Sequence, residues 1–298
     1  MKSSQYKKRQ LKLLASILYC TPIEIEYLSE NIDSYYNKWV EAKKDKATGK
    51  LKTYSDGTPK KRIIRPSLGQ LKAIQKSIRI NILSKAELPD NIHGGIKKKS
   101  NITNAKKHQG NKYQFATDLQ DFFPSVNHRQ IYKLFLTLGY SNYIAHWLTK
   151  LTSIEFELPQ GTPTSTAIAN LVFLEIDKNL IALCQSNQIT YTRFVDDLTF
   201  SSQKDFRFLT TEIINIVKRG GFKISYRKTK YEGSQILTGI KVFNNYIDAP
   251  KKIKAKAKEE SNDISDTHKP FSSYLNQIRK TNKNIKGHKE NSIQSIAK

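Results

Sequence analysis

Three acids sit where acids are unwelcome. Asp118 closes the apolar run "KYQFATDL", and Asp196 and Asp197 stand side by side in "YTRFVDDLTFS". In that second run Tyr191, Phe194, Val195, Leu198, Thr199 and Phe200 are strand-formers, whereas strands avoid Asp. Asp is at home in tight turns, so the pair has two readings: a plain hairpin turn, or a turn that presents carboxylates to a metal ion. Asp118 and Asp196 are 78 residues apart, and only the fold could join them. Two carboxylates about 4 Å apart repel by roughly 4 kcal/mol at an effective dielectric near 20, and a divalent cation between them relieves that cost. Mg2+ takes one or two carboxylates and fills its shell with phosphate oxygens and water. Two such ions about 3.5–4 Å apart stabilise the attacking and leaving oxygens of phosphoryl transfer.

The charge balance names a partner class. The 298 residues carry 51 Lys and Arg against 26 Asp and Glu, a net charge of +25 spread along the chain, with a pI near 9.8. An extended polyanion such as nucleic acid suits that excess. A membrane surface is the rival, but no apolar stretch approaches the roughly 18 residues of a spanning helix. The opening "MKSSQYKKRQLKLLASILYC" is too broken for a secretion signal. Cys20 and Cys184 form neither a metal-ligand spacing nor a disulfide framework, so a cytoplasmic location is expected. The 28 Tyr and Phe residues argue for a packed core despite an apolar content of 38%.

Elements must position the acids. Short helices are expected over 7–32, with Thr21-Pro22-Ile23-Glu24 as a helix start, and a polar loop or exposed hairpin tip over 43–61. "KRIIRPS" reads as a strand stopped by Pro66, and 68–84 as a helix with Leu68, Leu71, Ile74, Ile78 and Ile82 on one face. After the Asp118 strand, helices are expected over 127–138, 141–152 and 165–183. A hairpin over 189–201, a helix over 205–219, strands near 222–226, 235–243 and 246–248, and a polar helical tail from Lys251 complete the chain. The order is not a strict βαβ alternation, which predicts an α+β fold: an antiparallel sheet with helices packed on one side.

These runs, taken in order, resemble reverse transcriptases. "FATDLQDFFPSV" resembles the first catalytic block of that family, "LPQGTPTSTAIANLVF" the block at the incoming nucleotide and template, and "YTRFVDDLTFS" the YxDD hairpin. "GFKISYRKTKY" is similar to the following block with its Lys, and "ILTGIKV" to the primer-grip segment. With "KKRIIRPSLGQLKAI" upstream they span roughly residues 60–245. Within the family the resemblance is to the retron type, through "NAKKH" (104–108) and "LTG" (237–239). Phe194 stands where Tyr is usual and Val195 where Ala is usual. Both carboxylates remain, so the departure bears on rate or fidelity. Retron enzymes lack RNase H and endonuclease domains, and no residues here remain to build either.

The resemblance implies a right-hand polymerase fold with fingers, palm and a short helical thumb. It divides the chain into an N-terminal helical extension with a basic loop (1–59), a fingers-and-palm core (60–245) and a basic helical thumb (246–298). It gives Asp118 and Asp196 two metal ions, Mg2+ with Mn2+ able to substitute, and Asp197 a supporting role. Phe123, five residues after Asp118, lies where the family sets an aromatic under the sugar of the incoming nucleotide; Phe122 reads as core. Gln160 and the Gly161 backbone line the nucleotide pocket. Arg62 and Arg65 reach the triphosphate, with Lys60 and Lys61 competing, and Lys228 protonates the departing pyrophosphate. Asn104, Lys106, Lys107, His108, Lys251, Lys252 and Lys254 are candidates for RNA; for Asn104 and His108 a local structural clamp is the equal alternative. The implied activity is RNA-templated synthesis from deoxynucleoside triphosphates. A cognate noncoding RNA serves as template and supplies the priming 2′-OH, giving an RNA–DNA product. A role in antiphage defence with a separate effector protein is implied as well. The rivals are a reverse transcriptase of another bacterial class, such as a group II intron enzyme, and a non-catalytic RNA-binding protein on the same fold.

Overall fold

The computed structural model describes residues 2–44, 50–53, 56–233, 236–262 and 268–282. Helix α1 (Lys2–Leu18) buries Leu11, Leu14, Ala15 and Leu18 at helical spacing. Helix α2 (Pro22–Glu30) starts as its sequence demands: the Thr21 hydroxyl accepts from the Glu24 N–H, the Glu24 carboxylate accepts from the Thr21 N–H, and Pro22 needs no partner. Strands β1 (Trp39–Ala42) and β2 (Lys61–Ile64) form an antiparallel hairpin from Trp39↔Ile64 to Ala42↔Lys61. Of the two readings of 43–61, a loop or a hairpin tip, the paired strands on either side favour the hairpin; residues 45–49 and 54–55 lie outside the described residues. Helix α3 (Gly69–Asn81) buries Leu71, Ile74 and Ile78.

Helix α4 (Asn101–Lys107) lies in a stretch to which no element is assigned from the sequence. Its signal was a capping box of Ser100 and Thr103. It precedes β3 (Tyr113–Asp118), the short α5 (Phe122–Ser125), α6 (His128–Thr137) and α7 (Asn142–Thr152). The single helix expected over 165–183 is two, α8 (Ser165–Val172) and α9 (Leu174–Ser186), divided at the fully buried Phe173. Strands β4 (Thr190–Phe194) and β5 (Asp197–Ser202) form the expected hairpin, and α10 (Thr210–Arg219) follows. The strand expected at 222–226 is reduced to one bridge, Ile224 to Leu119. The ladder beside β3 is made instead by β6 (Lys230–Glu232), too short to read from its sequence.

These strands make one antiparallel sheet in the order β4-β5-β3-β6. Aromatic rings fix its register. Tyr191, Phe200, Phe115 and Tyr231 are neighbours across all four strands, with ring centroids 4.7, 5.7 and 6.3 Å apart in turn. Each such pair contributes about 0.2–1 kcal/mol. A slip of one residue would turn the whole row out of the core, so the ladder also decides what meets at the strand ends. The larger core joins one face of this sheet to helices that also pack on one another.

A second, smaller core is built by β7 (Ile236–Leu237), β8 (Ile240–Val242) and β9 (Ile247–Asp248) with α11 (Lys251–Asn262) and α12 (Pro270–Asn282). Ile102 and Ala105 of α4 complete it. Among the described residues no helix is long and apolar enough to cross a membrane.

Candidate active site

The sheet delivers the three acids to one end. Asp118, the last residue of β3, is opposite Asp197, the first of β5, and Phe194 closes the other side of the hairpin against Asp197. Side chains alternate along a strand, so Asp118 points away from the face that carries Phe115, three residues back. The turn itself is kinked: Val195 has φ +59, a left-handed conformation that β-branched residues seldom adopt. The N–H of Leu119 donates to the carbonyl of Asp196 at 2.9 Å, and that of Ser225 to the carbonyl of Asp118 at 2.7 Å. The backbone around the acids is thus tied down on both sides.

Electrostatics follow from the crowding. Asp118 is buried. Burial first, then the charges of Asp196 and Asp118 and a hydrogen bond with Asp118, push the Asp197 carboxyl up to about 7. Lys228 opposes that rise; its Nζ lies 2.5 Å from Asp118 Oδ1. Repelling carboxylates held together by the backbone are a cation site in the making. Among the described residues no three His, Cys, Asp or Glu side chains are gathered tightly enough to grip a metal alone. The carboxylates that do meet, Asp118 and Asp197 with Asp196 beside them, are oxygen donors of the kind that hard divalent ions take.

The flanking residues divide. Phe122 is buried against Phe173 and Phe222, at 5.7 and 5.6 Å, and is core. Phe123 is half-buried beside it. The Gln160 carbonyl accepts from the Arg65 N–H at 2.8 Å. Gly161 has φ +110, and a Cβ there would come within 3.3 Å of Ile64 Cγ2, so this loop packs closely on β2. Arg62 stays partly exposed beside its cross-strand partner Glu41, 3.7 Å away. Arg65 corrects the expectation. It is buried, with its guanidinium taken up by Glu155 at 2.5 Å and by Glu157, and so is not free to reach a triphosphate.

Asn104 and His108 take the clamp side of their two expected alternatives. Both are fully enclosed. His108 joins Ser201 of β5 and Thr192 of β4, 2.7 Å from each, and Asn104 Nδ2 donates to Thr238 Oγ1 at 3.4 Å. The NAKKH and LTG segments thus touch each other, and these two side chains face protein, as the clamp alternative expects. Lys106 donates to Gln109 and to the Thr281 carbonyl of α12, whereas Lys107 is exposed near Asp90. Lys251, Lys252 and Lys254 are exposed on α11, Lys254 paired with Asp248. Sequence reading missed Arg193 and Asp177, a wholly buried ion pair behind the Asp196 turn. The one signal was a guanidinium inside a strand-forming run.

Comparison with known proteins fits this geometry. Residues 46–255 match the family described as reverse transcriptase (RNA-dependent DNA polymerase). The chain is 34% identical to the retron Ec86 reverse transcriptase of Escherichia coli over 180 residues, covering 59% of this chain and 56% of that one. It is 31% identical to the retron Mx65 reverse transcriptase of Myxococcus xanthus (61% and 48% covered) and 32% to the Mx162 enzyme of the same organism (64% and 46%). The chain spans about half the length of these curated relatives. Such a domain implies the polymerase fold, with which the mixed helix and sheet seen here is compatible, and the family generally uses divalent metal ions. With the Asp118 strand and the Asp196–Asp197 hairpin inside the matched region, the chain belongs to the reverse transcriptase (RNA-dependent DNA polymerase) family, and the relatives it matches are of the retron type.

Proposed function

We propose that this protein is an RNA-directed DNA polymerase that copies part of a cognate retron noncoding RNA into single-stranded DNA, primed from a 2′-OH of that RNA. The meeting of Asp118, Asp196 and Asp197 at one sheet end carries the reading. Asp118 and Asp196 would hold two Mg2+ ions, with Mn2+ able to substitute; Asp197 supports them. Bound there, the ions supply Lewis-acid stabilisation of the attacking and leaving oxygens. Lys228 is close enough to Asp118 to offset its charge between turnovers and to give a proton to departing pyrophosphate. Phe123 packs under the nucleotide sugar and excludes a ribose 2′-OH. Gln160 and Gly161 form the pocket wall, and Arg62, which remains partly exposed, faces the triphosphate.

On this reading residues 1–59 are an N-terminal extension, β2 and α3 are fingers, the four-stranded sheet and its helices are palm, and 246–298 is thumb, of which 263–267 and 283–298 lie outside the described residues. Exposed Lys107, Lys251, Lys252 and Lys254 contact RNA phosphates. The retron resemblance supports a further role in antiphage defence with a separate effector protein, and the cysteine usage supports a cytoplasmic location.

The test is to purify the protein with its genomic neighbourhood at high salt and analyse the bound nucleic acid. Phosphate contacts weaken steeply with salt, so only a specific complex stays. One RNA joined to a short DNA through a 2′–5′ link, released by a debranching enzyme, is expected. A heterogeneous RNA pool or an ordinary 3′–5′ junction overturns the retron assignment.

A further inference from the structure

The turn that presents Asp196 is gripped from behind. Arg193 is completely enclosed. Its Nε and Nη2 face the Asp177 carboxylate, at 3.0 and 2.6 Å. Its Nη1 points the other way, donating to the carbonyl of Val195 at 3.0 Å and to Asn170 Oδ1 at 2.8 Å. Asn170 in turn donates through Nδ2 to the Gly94 carbonyl at 2.9 Å. Gly94 backs directly on the turn: a Cβ there would sit 2.3 Å from the Val195 nitrogen. The chain beside Gly94 is held by Arg193 as well, whose N–H donates to Asn91 and whose carbonyl accepts from His93, at 2.9 and 2.8 Å.

Charge balance alone does not explain this. Asp177 engages one edge of the guanidinium, and a Lys would meet the charge equally. Only a planar fork with five N–H donors serves Asp177, Asn170 and Val195 together. The two carbonyls flanking the Asp196 α-carbon's own peptide links are thereby fixed: that of Val195 by Arg193, that of Asp196 by the Leu119 N–H. Val195 needs such a hold, because its left-handed φ of +59 is unfavourable for a branched side chain.

We propose that Arg193 is a positioning residue of the polymerase site: with Asn170 and Gly94 it holds the Val195 kink and so sets where the Asp196 and Asp197 carboxylates meet Asp118. The inference rests on the polymerase reading. Two variants of the full chain press on the turn from opposite sides. Arg193→Lys keeps the charge and loses the fork; Gly94→Ala leaves the ion pair intact and pushes on Val195. Each is compared with wild type by the Mg2+ needed for half-maximal primer extension, the KM for template–primer, Mn2+ binding by electron paramagnetic resonance with template–primer and a non-hydrolysable deoxynucleotide bound, and thermal melting.

Supporting partners behind a metal ligand typically change metal affinity or activity by roughly 10–100-fold. Both variants are expected to weaken Mn2+ binding and raise the Mg2+ requirement on that scale, with the template–primer KM unchanged. Unchanged metal affinity in a folded Gly94→Ala protein overturns the proposal, whatever Arg193→Lys does to folding. Hydrogen exchange on wild type adds a check that needs no variant: the Leu119 amide, which donates to the Asp196 carbonyl, should exchange as slowly as the sheet, and exchange at exposed-loop rates overturns the proposal too. A wild type that binds Mn2+ yet extends no primer counts against the polymerase reading instead, leaving the metal-binding and exchange results to judge Arg193.

Discussion

Asp118 and Asp197 face each other as the last pair of the β3–β5 ladder, three residues beyond the pairing of Phe115 with Phe200. The aromatic row that anchors the sheet in the core thus dictates which carboxylates meet at its edge. Because three is odd, the rings enter the core while the acids leave it. A register slip would cost both at once.

That crowding has a pH signature. Burial and the neighbouring carboxylates hold the Asp197 carboxyl near 7, against roughly 3.9 for an unfolded Asp. The folded protein therefore binds this proton more tightly than the unfolded chain does. The stability it contributes is full below about pH 4 and is lost as pH rises through 7. Without divalent ions, melting temperature should fall as pH rises from about 4 to about 7 and level off above that. Asp197→Asn should flatten that fall, and Mg2+ should reverse it by stabilising the ionised form. A wild-type slope unaffected by both would show that Asp197 is not the group involved.

His108 works in the opposite sense. Burial, with some help from His93, holds its imidazole down near 3. Its stability contribution is present above the unfolded value near 6.5 and is lost as pH falls toward 3. His108→Ala removes the link between Thr192 and Ser201 and should cost about 2–3 kcal/mol, read by urea unfolding at pH 7.5. RNA affinity of the folded protein should not change. A weakened RNA complex with normal stability would restore His108 to the RNA surface.

Phe123→Ala should relax sugar selection. The ring is half-buried beside Phe122, and losing a steric contact of this kind is worth about 1–3 kcal/mol, roughly 10–200-fold. The readout is the ratio of ribonucleotide to deoxynucleotide incorporation. An unchanged ratio in a folded variant would make Phe123 a packing residue.

The sequence made the acids legible because their chemistry sits in short runs. "KYQFATDL" and "YTRFVDDLTFS" each pair a strand pattern with a misplaced acid, and the Thr21–Glu24 helix start is equally local. What escaped depends on partners distant in sequence. Arg65 looked like a phosphate ligand because Glu155 and Glu157, which neutralise it, are about 90 residues away. Asn104 and His108 are polar residues in a basic run, and only tertiary burial separates a clamp from an RNA contact. Arg193 and Asp177 share no motif, since one lies in a strand and the other in a helix. Strand β6 has three residues, too few for any period to show, and the division at Phe173 reflects packing against Phe122 and Phe222 within a run of uniform helical character.

The most direct measurement is primer extension by wild type and Asp196→Asn on an RNA template with deoxynucleoside triphosphates, alongside RNA binding on the same preparations. Metal neutralisation is assigned to the carboxylates and RNA affinity to Lys and Arg elsewhere. Wild type should make DNA only with a divalent ion, and Asp196→Asn should make none while binding RNA nearly as well. RNA binding without DNA synthesis by wild type, or synthesis that survives in Asp196→Asn, would contradict the account.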